Sequence, residues 1–463
     1  VSTVGFARVI RQKEVITLAF GAMIGWSWVA LSAGWIDAAG SVGAMLAFAA
    51  GGFAVVLVGL TYAELASAMP LAGGEHVYSY RALGRNASFV CTWAILLAYV
   101  SVATFEAVAL PTVVEYILPG YSRGYLWTVA GWDVELTWVL VGVGASVVMT
   151  WINVVGIKLA ARLQMLVTVL ILIAGGVVFF GAAFGGDTGN MQPFFVDGFK
   201  GWIGVLVVVP VLLVGFDVIP QSAEEIDLPF AQIGKVLVVS IMLAVAFYMM
   251  IVWGVATGLG PGPHAPGLMP TPRAASNLVG ASWGGTLLII GGIGGILTSW
   301  NAFMIGGSRA LYALAEAGQL PRWVGAMHPR YRTPYKAVIL IGVFCALAPL
   351  FGRQTLVWLV NAGSFGTIVA YAFVALSFLV LRHKEPGMAR PYRVRFGRVV
   401  GAAALLCSVA IAMLFMPFSP AALLWPYEWT IVLGWSGFGL ILMLFAGGAA
   451  ANTDAGSPGS TYN

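Results

Sequence analysis

Val205–Ala223 reads VLVVVPVLLVGFDVIPQSA. The stretch is apolar and long enough to cross a bilayer, yet Pro210, Gly215 and Pro220 interrupt it at mid-depth, with the acid Asp217 among them. Thr17–Ile36, TLAFGAMIGWSWVALSAGWI, carries Gly21 and Gly25 in a matching place. A free backbone group in hydrocarbon costs several kcal/mol, so non-helical backbone at that depth survives only where it lines a cavity within protein. Two interrupted helices in corresponding halves of a chain point to a solute site near the bilayer midplane.

The rest of the chain fits that setting. Of its 463 residues 60% are hydrophobic and 9% charged, against about 25% charged in soluble domains. Hydropathy predicts an all-α membrane protein with twelve transmembrane spans, near 15–38, 43–68, 88–117, 135–155, 162–184, 201–223, 234–259, 284–312, 336–352, 355–381, 399–416 and 430–449. Twelve spans put both termini on one side. With that side cytoplasmic, only Arg123, Lys200, Arg273 and Arg353 of the 23 Lys and Arg fall outside, as the positive-inside rule requires. The net charge of +5 then reports topology, and no nucleic-acid partner is read from it. The expected place is the cytoplasmic (inner) membrane, with the lipid bilayer as a partner and the oligomeric state open.

Cys91, Cys345 and Cys407 show no metal or redox spacing and read as buried structural thiols. His76, His264, His328 and His383 are expected in loops, so no cluster suited to catalysis or metal binding is visible, and an enzyme is disfavoured. No cleavable signal peptide is evident. Residues 451–463 read as a disordered tail. Each broken span is followed by four more, the pattern of an inverted five-plus-five repeat. The halves are 1–184 and 185–382, with spans 11 and 12 (383–450) appended.

Five pieces in order carry a family likeness: GAMIG at 21–25, YAELASAMPLAGGEHVYSYRALG at 62–84, NVVGIKLAARLQ at 153–164, GFDVIPQSAEE at 215–225 and SRALYALAEAGQLPRW at 308–323. Over nearly its whole length the chain resembles the amino acid–polyamine–organocation (APC) permeases. The resemblance implies a LeuT-type fold with broken helices 1 and 6, substrate held between spans 1, 3, 6 and 8, and secondary active transport by alternating access. A transporter-like sensor that binds an amine without moving it is the alternative, though such a protein is expected to carry an added signalling domain.

A broken helix offers free N–H groups to a carboxylate and free C=O groups to an ammonium or metal cation. Gly25, Trp26 and Ser27 stand where the family usually has a Gly-Ser-Gly run, so Trp26 replaces a tiny residue in the carboxylate cradle. Asp217 reads either as a counter-charge or proton carrier or as a cap for the second half-helix. Glu106, in span 3, reads as a cation-recognition residue, an internal ion-pair member or a vestibule position. Glu64 reads as structural, and Glu224 and Glu225 as inner-gate partners for Arg or Lys. By the resemblance Phe216 is a lid, and Trp300, beside Asn301 on span 8, matches an aromatic of related antiporters of cationic amino acids. With Trp26 and Trp28 these rings are expected to form an aromatic cage, which attracts ammonium. No cofactor is expected beyond a coupling ion, Na⁺ or H⁺. In sodium-coupled relatives Ala22, Thr298 and Ser299 would mark the Na⁺ position; in sodium-independent ones a span 5 lysine replaces the ion, and Ile171 aligns there. The cargo is an amino acid or a polyamine or other organic amine, with Trp26 and Glu106 favouring the amine.

Overall fold

The computed structural model describes residues 6–260, 270–419 and 421–451. His264 and all but the first residue of the expected tail lie outside them. Span 1 is three helices, α1 (Gln12–Met23), α2 (Ser27–Ala30) and α3 (Ser32–Ala39). Helical geometry is lost at Ile24 and Gly25, and the chain bends by 66° between Ala30 and Ser32. There follow α4 (Ser41–Ala68), α5 (Glu75–Leu83), α6 (Arg85–Ile117), a hairpin of β1 (Tyr125–Val129) and β2 (Trp132–Glu135), α7 (Leu136–Val155) and α8 (Ile157–Gly185). The second broken span is α9 (Gly198–Leu212) and α10 (Val218–Gln221). The chain continues through α11 (Phe230–Gly258), α12 (Pro270–Val279), α13 (Trp283–Glu316), α14 (Tyr335–Leu347), α15 (Thr355–Lys384), α16 (Gly397–Leu414) and α17 (Tyr427–Ala451).

Among the described residues nine helices are long and apolar enough to cross a membrane, or ten if the bent pair of span 1 is one span. Gly198–Leu212 and Tyr335–Phe351 are apolar but shorter. They stand where spans 6 and 9 are expected, so a count of twelve needs both. Span 6 is short because its chain abandons the helix over residues 213–217. There Gly215 adopts φ +128°, a conformation open to glycine and strained for other residues.

Three features depart from expectation. The β1–β2 hairpin makes the fold not strictly all-α. Its turn puts Ala130 at φ +48° and Gly131 at φ +78°, the positive-φ pair that matches the twist of a two-residue hairpin. Cys407 is half-buried, while Cys91 and Cys345 are buried. His76 lies in α5 and His383 in the last turn of α15, with only His328 of the described histidines in a loop.

One cluster of charges inside the bundle is paired. Glu64 is buried near the end of α4 and accepts from Arg382 Nε at 2.9 Å and from the Val394 N–H at 2.8 Å, with Arg390 Nε 3.0 Å away. This fits the structural reading of Glu64. His76 is buried against Ser88, whose hydroxyl is 2.8 Å from Nδ1. Burial lowers its pKa from 6.5 to about 4. The unfolded chain therefore takes up a proton below pH 6.5 that the folded protein refuses until about pH 4. Stability present above pH 6.5 is lost across that window, by about 3 kcal/mol at most. Thermal unfolding of the detergent-solubilised protein should show this slope, and His76→Gln should flatten it. An unchanged slope in the variant would assign the acid sensitivity elsewhere.

Candidate functional site

The two breaks cross. At Gly215 an added Cβ would stand 2.6 Å from the Ala22 Cβ and 3.0 Å from the Met23 nitrogen. The span 6 break thus rests backbone-to-backbone on the span 1 break. On the other side, α13 presents glycines. A Cβ at Gly295 would overlap the Gly25 carbonyl, and one at Gly292 would overlap the Trp26 ring. The glycine-rich sequence of α13 is what lets a helix approach this closely.

The free polar groups of the span 1 break are met from within the protein. Tyr248, on α11, donates its hydroxyl to the Met23 carbonyl at 2.9 Å. Having spent its proton there, it accepts from the Ser27 hydroxyl at 2.9 Å. Glu106, on α6, lines the same cavity as Trp26 and Ser299. Its Oε1 would be 2.6 Å from a Cβ on Gly25, while Oε2 has no partner.

At the span 6 break, Asp217 Oδ1 accepts the Gly215 N–H at 2.7 Å and Oδ2 accepts the Tyr99 hydroxyl at 2.6 Å. Asp217 therefore caps backwards, onto the turn that precedes it. The forward cap on the second half-helix is not made. Next to it, Glu75 of α5 accepts from Tyr62 at 3.0 Å and from the Gln221 amide. Burial, reinforced by the Asp217 carboxylate, holds the Glu75 pKa well above the usual carboxylate range.

A cavity of about 50 Å³ sits between the breaks. It is much smaller than the roughly 300 Å³ of an ordinary ligand pocket, so cargo must widen it. Of the expected residues, Ala22, Gly25, Trp26, Ser27, Glu106 and Ser299 line it. Its other walls are apolar, including Val102, Phe105, Leu212 and Phe303. Trp26 thus faces the cavity while its ring edge rests over Gly292.

The other expected residues are dispersed. Trp28 stacks edge-on against Phe247 at 5.4 Å. Phe216 packs on Tyr62 at 5.3 Å and Tyr371 at 5.4 Å. Trp300 is fully buried beside Cys345. The four rings expected to form a cage pack on different neighbours, because each fills a separate gap between helices. Asn301 also lies away from the cavity. It accepts from Asn153 at 3.1 Å and donates to Gln164 Oε1 at 3.0 Å.

The region expected to suit Na⁺ holds a donor. Gln164 of α8 turns its amide N–H groups toward the Thr17 and Leu18 carbonyls at 3.3 and 3.4 Å. It would meet a Cβ on Gly21. Its orientation follows from the network, since Oε1 accepts from Asn301. The Thr298 hydroxyl bonds back to the Gly294 and Gly295 carbonyls at 3.0 and 3.1 Å, as helix hydroxyls commonly do. The Gln164 amide thus engages span 1 carbonyls four and five residues before Ala22. Gln164 reaches the span 1 carbonyls, whereas Ile171 packs beside Gly294.

A family model described as amino acid permease matches residues 10–451. The chain belongs to the amino acid permease family. Its relatives include a branched-chain amino acid permease of Bacillus subtilis (strain 168), 26% identical over 85% of either chain. A methylthioribose transporter of the same organism is 27% identical over 89% of this chain and 88% of its own. Cationic amino acid transporter 4 of Homo sapiens is 26% identical over 82% of this chain and 60% of its own. The APC likeness read from the five sequence pieces is thereby confirmed, and the family is one of transporters.

Several residues that matter in this permease were not singled out in the sequence. Tyr99 stands seven residues before Glu106, two helical turns away and so on the same face; that spacing was a usable signal. Gln164 lies inside the NVVGIKLAARLQ piece. Tyr248 and Glu75 carried no local signal, because their roles depend on helices distant in sequence.

Proposed function

We propose that this permease moves a small amine-bearing solute, an amino acid or an organic amine, across the cytoplasmic membrane by alternating access. The observation that carries this is the crossing of two broken helices at Gly215 and Ala22 beside a cavity lined by Glu106 and Trp26. Twelve spans, counting α9–α10 and α14 as spans 6 and 9, and two inverted halves at 1–184 and 185–382 with 383–450 appended, give that crossing its symmetry. Both termini are then cytoplasmic. The branched-chain and cationic amino acid relatives support a solute of this size and an amine group.

The gate on the cytoplasmic side is the Glu225–Arg309 pair. Arg309 donates from Nε and Nη2 to the two Glu225 oxygens at 3.0 and 2.9 Å. Both residues are buried. Phe6 covers Arg309, whose guanidinium carbon is 5.7 Å from the ring centre, and the Glu225 carbonyl receives the Val9 and Ile10 N–H groups at 2.9 and 3.0 Å. Glu224 instead accepts from the Ala72 N–H at 3.1 Å. The same pair closes in every cycle in which the cavity faces outward.

The Gln164 amide, bonded to the Thr17 and Leu18 carbonyls close to the residues expected to suit Na⁺, supports coupling to the proton electrochemical gradient over coupling to Na⁺. Uptake into proteoliposomes should persist at full rate when K⁺ replaces Na⁺ and should collapse when the proton gradient and membrane potential are dissipated. A strict Na⁺ requirement would contradict the role given to Gln164. Ligand-induced stabilisation without any uptake would favour the sensor.

A further inference from the structure

Glu106 occupies the one place where a cargo carboxylate would be held. The free N–H groups of a broken helix are the family's means of binding a negative group at the midplane. Here a carboxylate of the protein stands there already. Its Oε1 lies against Gly25, where an added Cβ would stand 2.6 Å from it and 3.2 Å from the Ser299 hydroxyl oxygen. Glu106 is 1% exposed, and among the described residues lining the cavity it alone is ionisable. No Lys, Arg or His faces it there. Its second oxygen, Oε2, is buried without a hydrogen-bond partner, and a buried acceptor left unmatched is costly. The remaining walls of the cavity are mostly aliphatic and aromatic.

We propose that Glu106 stands in for the substrate carboxylate, so that the cargo is a compact primary amine with an apolar body and no carboxylate of its own. This rests on the permease reading above and narrows it. The ammonium would donate to the Glu106 carboxylate, and its apolar body would lie against Val102, Phe105, Leu212 and Phe303. An α-amino acid would bring a second carboxylate to a cradle already filled. Two carboxylates sharing one site cannot both stay ionised, so one must take up a proton, and that cost disfavours the amino acid against the amine. Trp26 fits the same logic: a bulky ring is tolerated in the cradle because no cargo group has to enter it.

The test compares cargo pairs that differ only in the carboxylate: isoamylamine against leucine, and phenethylamine against phenylalanine. Each is measured by thermal-shift binding to the purified protein and by uptake into proteoliposomes. The wild-type protein should bind and take up each amine at least tenfold better than its amino acid. Glu106→Gln should lose at least tenfold for the amine and gain for leucine, since the neutral amide no longer repels a carboxylate. Glu106→Asp, which keeps the charge, should keep the amine preference with weaker binding, and this separates charge from folding. A wild-type preference for leucine over isoamylamine would overturn the proposal and leave the permease reading intact. Absence of binding and uptake for all four compounds would overturn both.

Discussion

Arg309→Ala should abolish concentrative uptake and lower stability by about 3–5 kcal/mol, the cost of leaving one partner of a buried ion pair uncompensated. Glu225 and Arg309 are each 1% exposed and joined by two hydrogen bonds. Removing the guanidinium strands a carboxylate in the interior and frees Phe6 from its cation partner. Stability alone would not establish a gate. The double variant Glu225→Leu/Arg309→Met separates the two effects. Apolar residues of similar volume often replace a buried pair at little cost, so its melting temperature should approach that of the wild type. Its uptake should stay impaired, because the charged latch that opens and closes is gone. Wild-type uptake by the double variant would show that the pair is structural only.

Gly215→Ala is the second large effect. Its φ of +128° is strained for any residue with a side chain. The added methyl would also stand 2.6 Å from the Ala22 Cβ and 2.9 Å from the Ala22 carbonyl carbon. Neither obstacle is a flexible side-chain end, so the two breaks must separate. Uptake should fall at least a hundredfold, about 2.7 kcal/mol at the barrier. Gly34→Ala is the matched control: nothing lies within 4 Å of its added Cβ, and near-normal uptake is expected. Equal activity of the two variants would remove the crossing from the mechanism.

Much of this was legible before the structure. Gly215 and Gly25 announce a break because glycine and proline at mid-depth are tolerated only beside a cavity. The sequence places Glu106 and Ser299 on spans that meet there, and both line the cavity. What stayed hidden was direction. A helix sequence names a residue's face only relative to its own axis, and the rotation of each helix is set by its neighbours. Trp28, Phe216 and Trp300 therefore read as a cage although they point into three different interfaces. The role of Gln164 was hidden because the depth at which α8 meets span 1 is set by packing. An alignment with lysine-bearing relatives points to Ile171, while the amide that reaches span 1 lies on the same face of α8 two turns earlier.

Alternating access around the crossed breaks should show in sided labelling. With Cys91, Cys345 and Cys407 replaced by alanine, Val214→Cys would place a single thiol in the cavity wall. A membrane-impermeant maleimide is applied to proteoliposomes from outside, or trapped within them, with and without isoamylamine or leucine. This thiol should react from either side, because the cavity opens to each in turn, and a transported cargo should change both rates. Reaction from one side only, at a rate indifferent to cargo, would contradict alternating access.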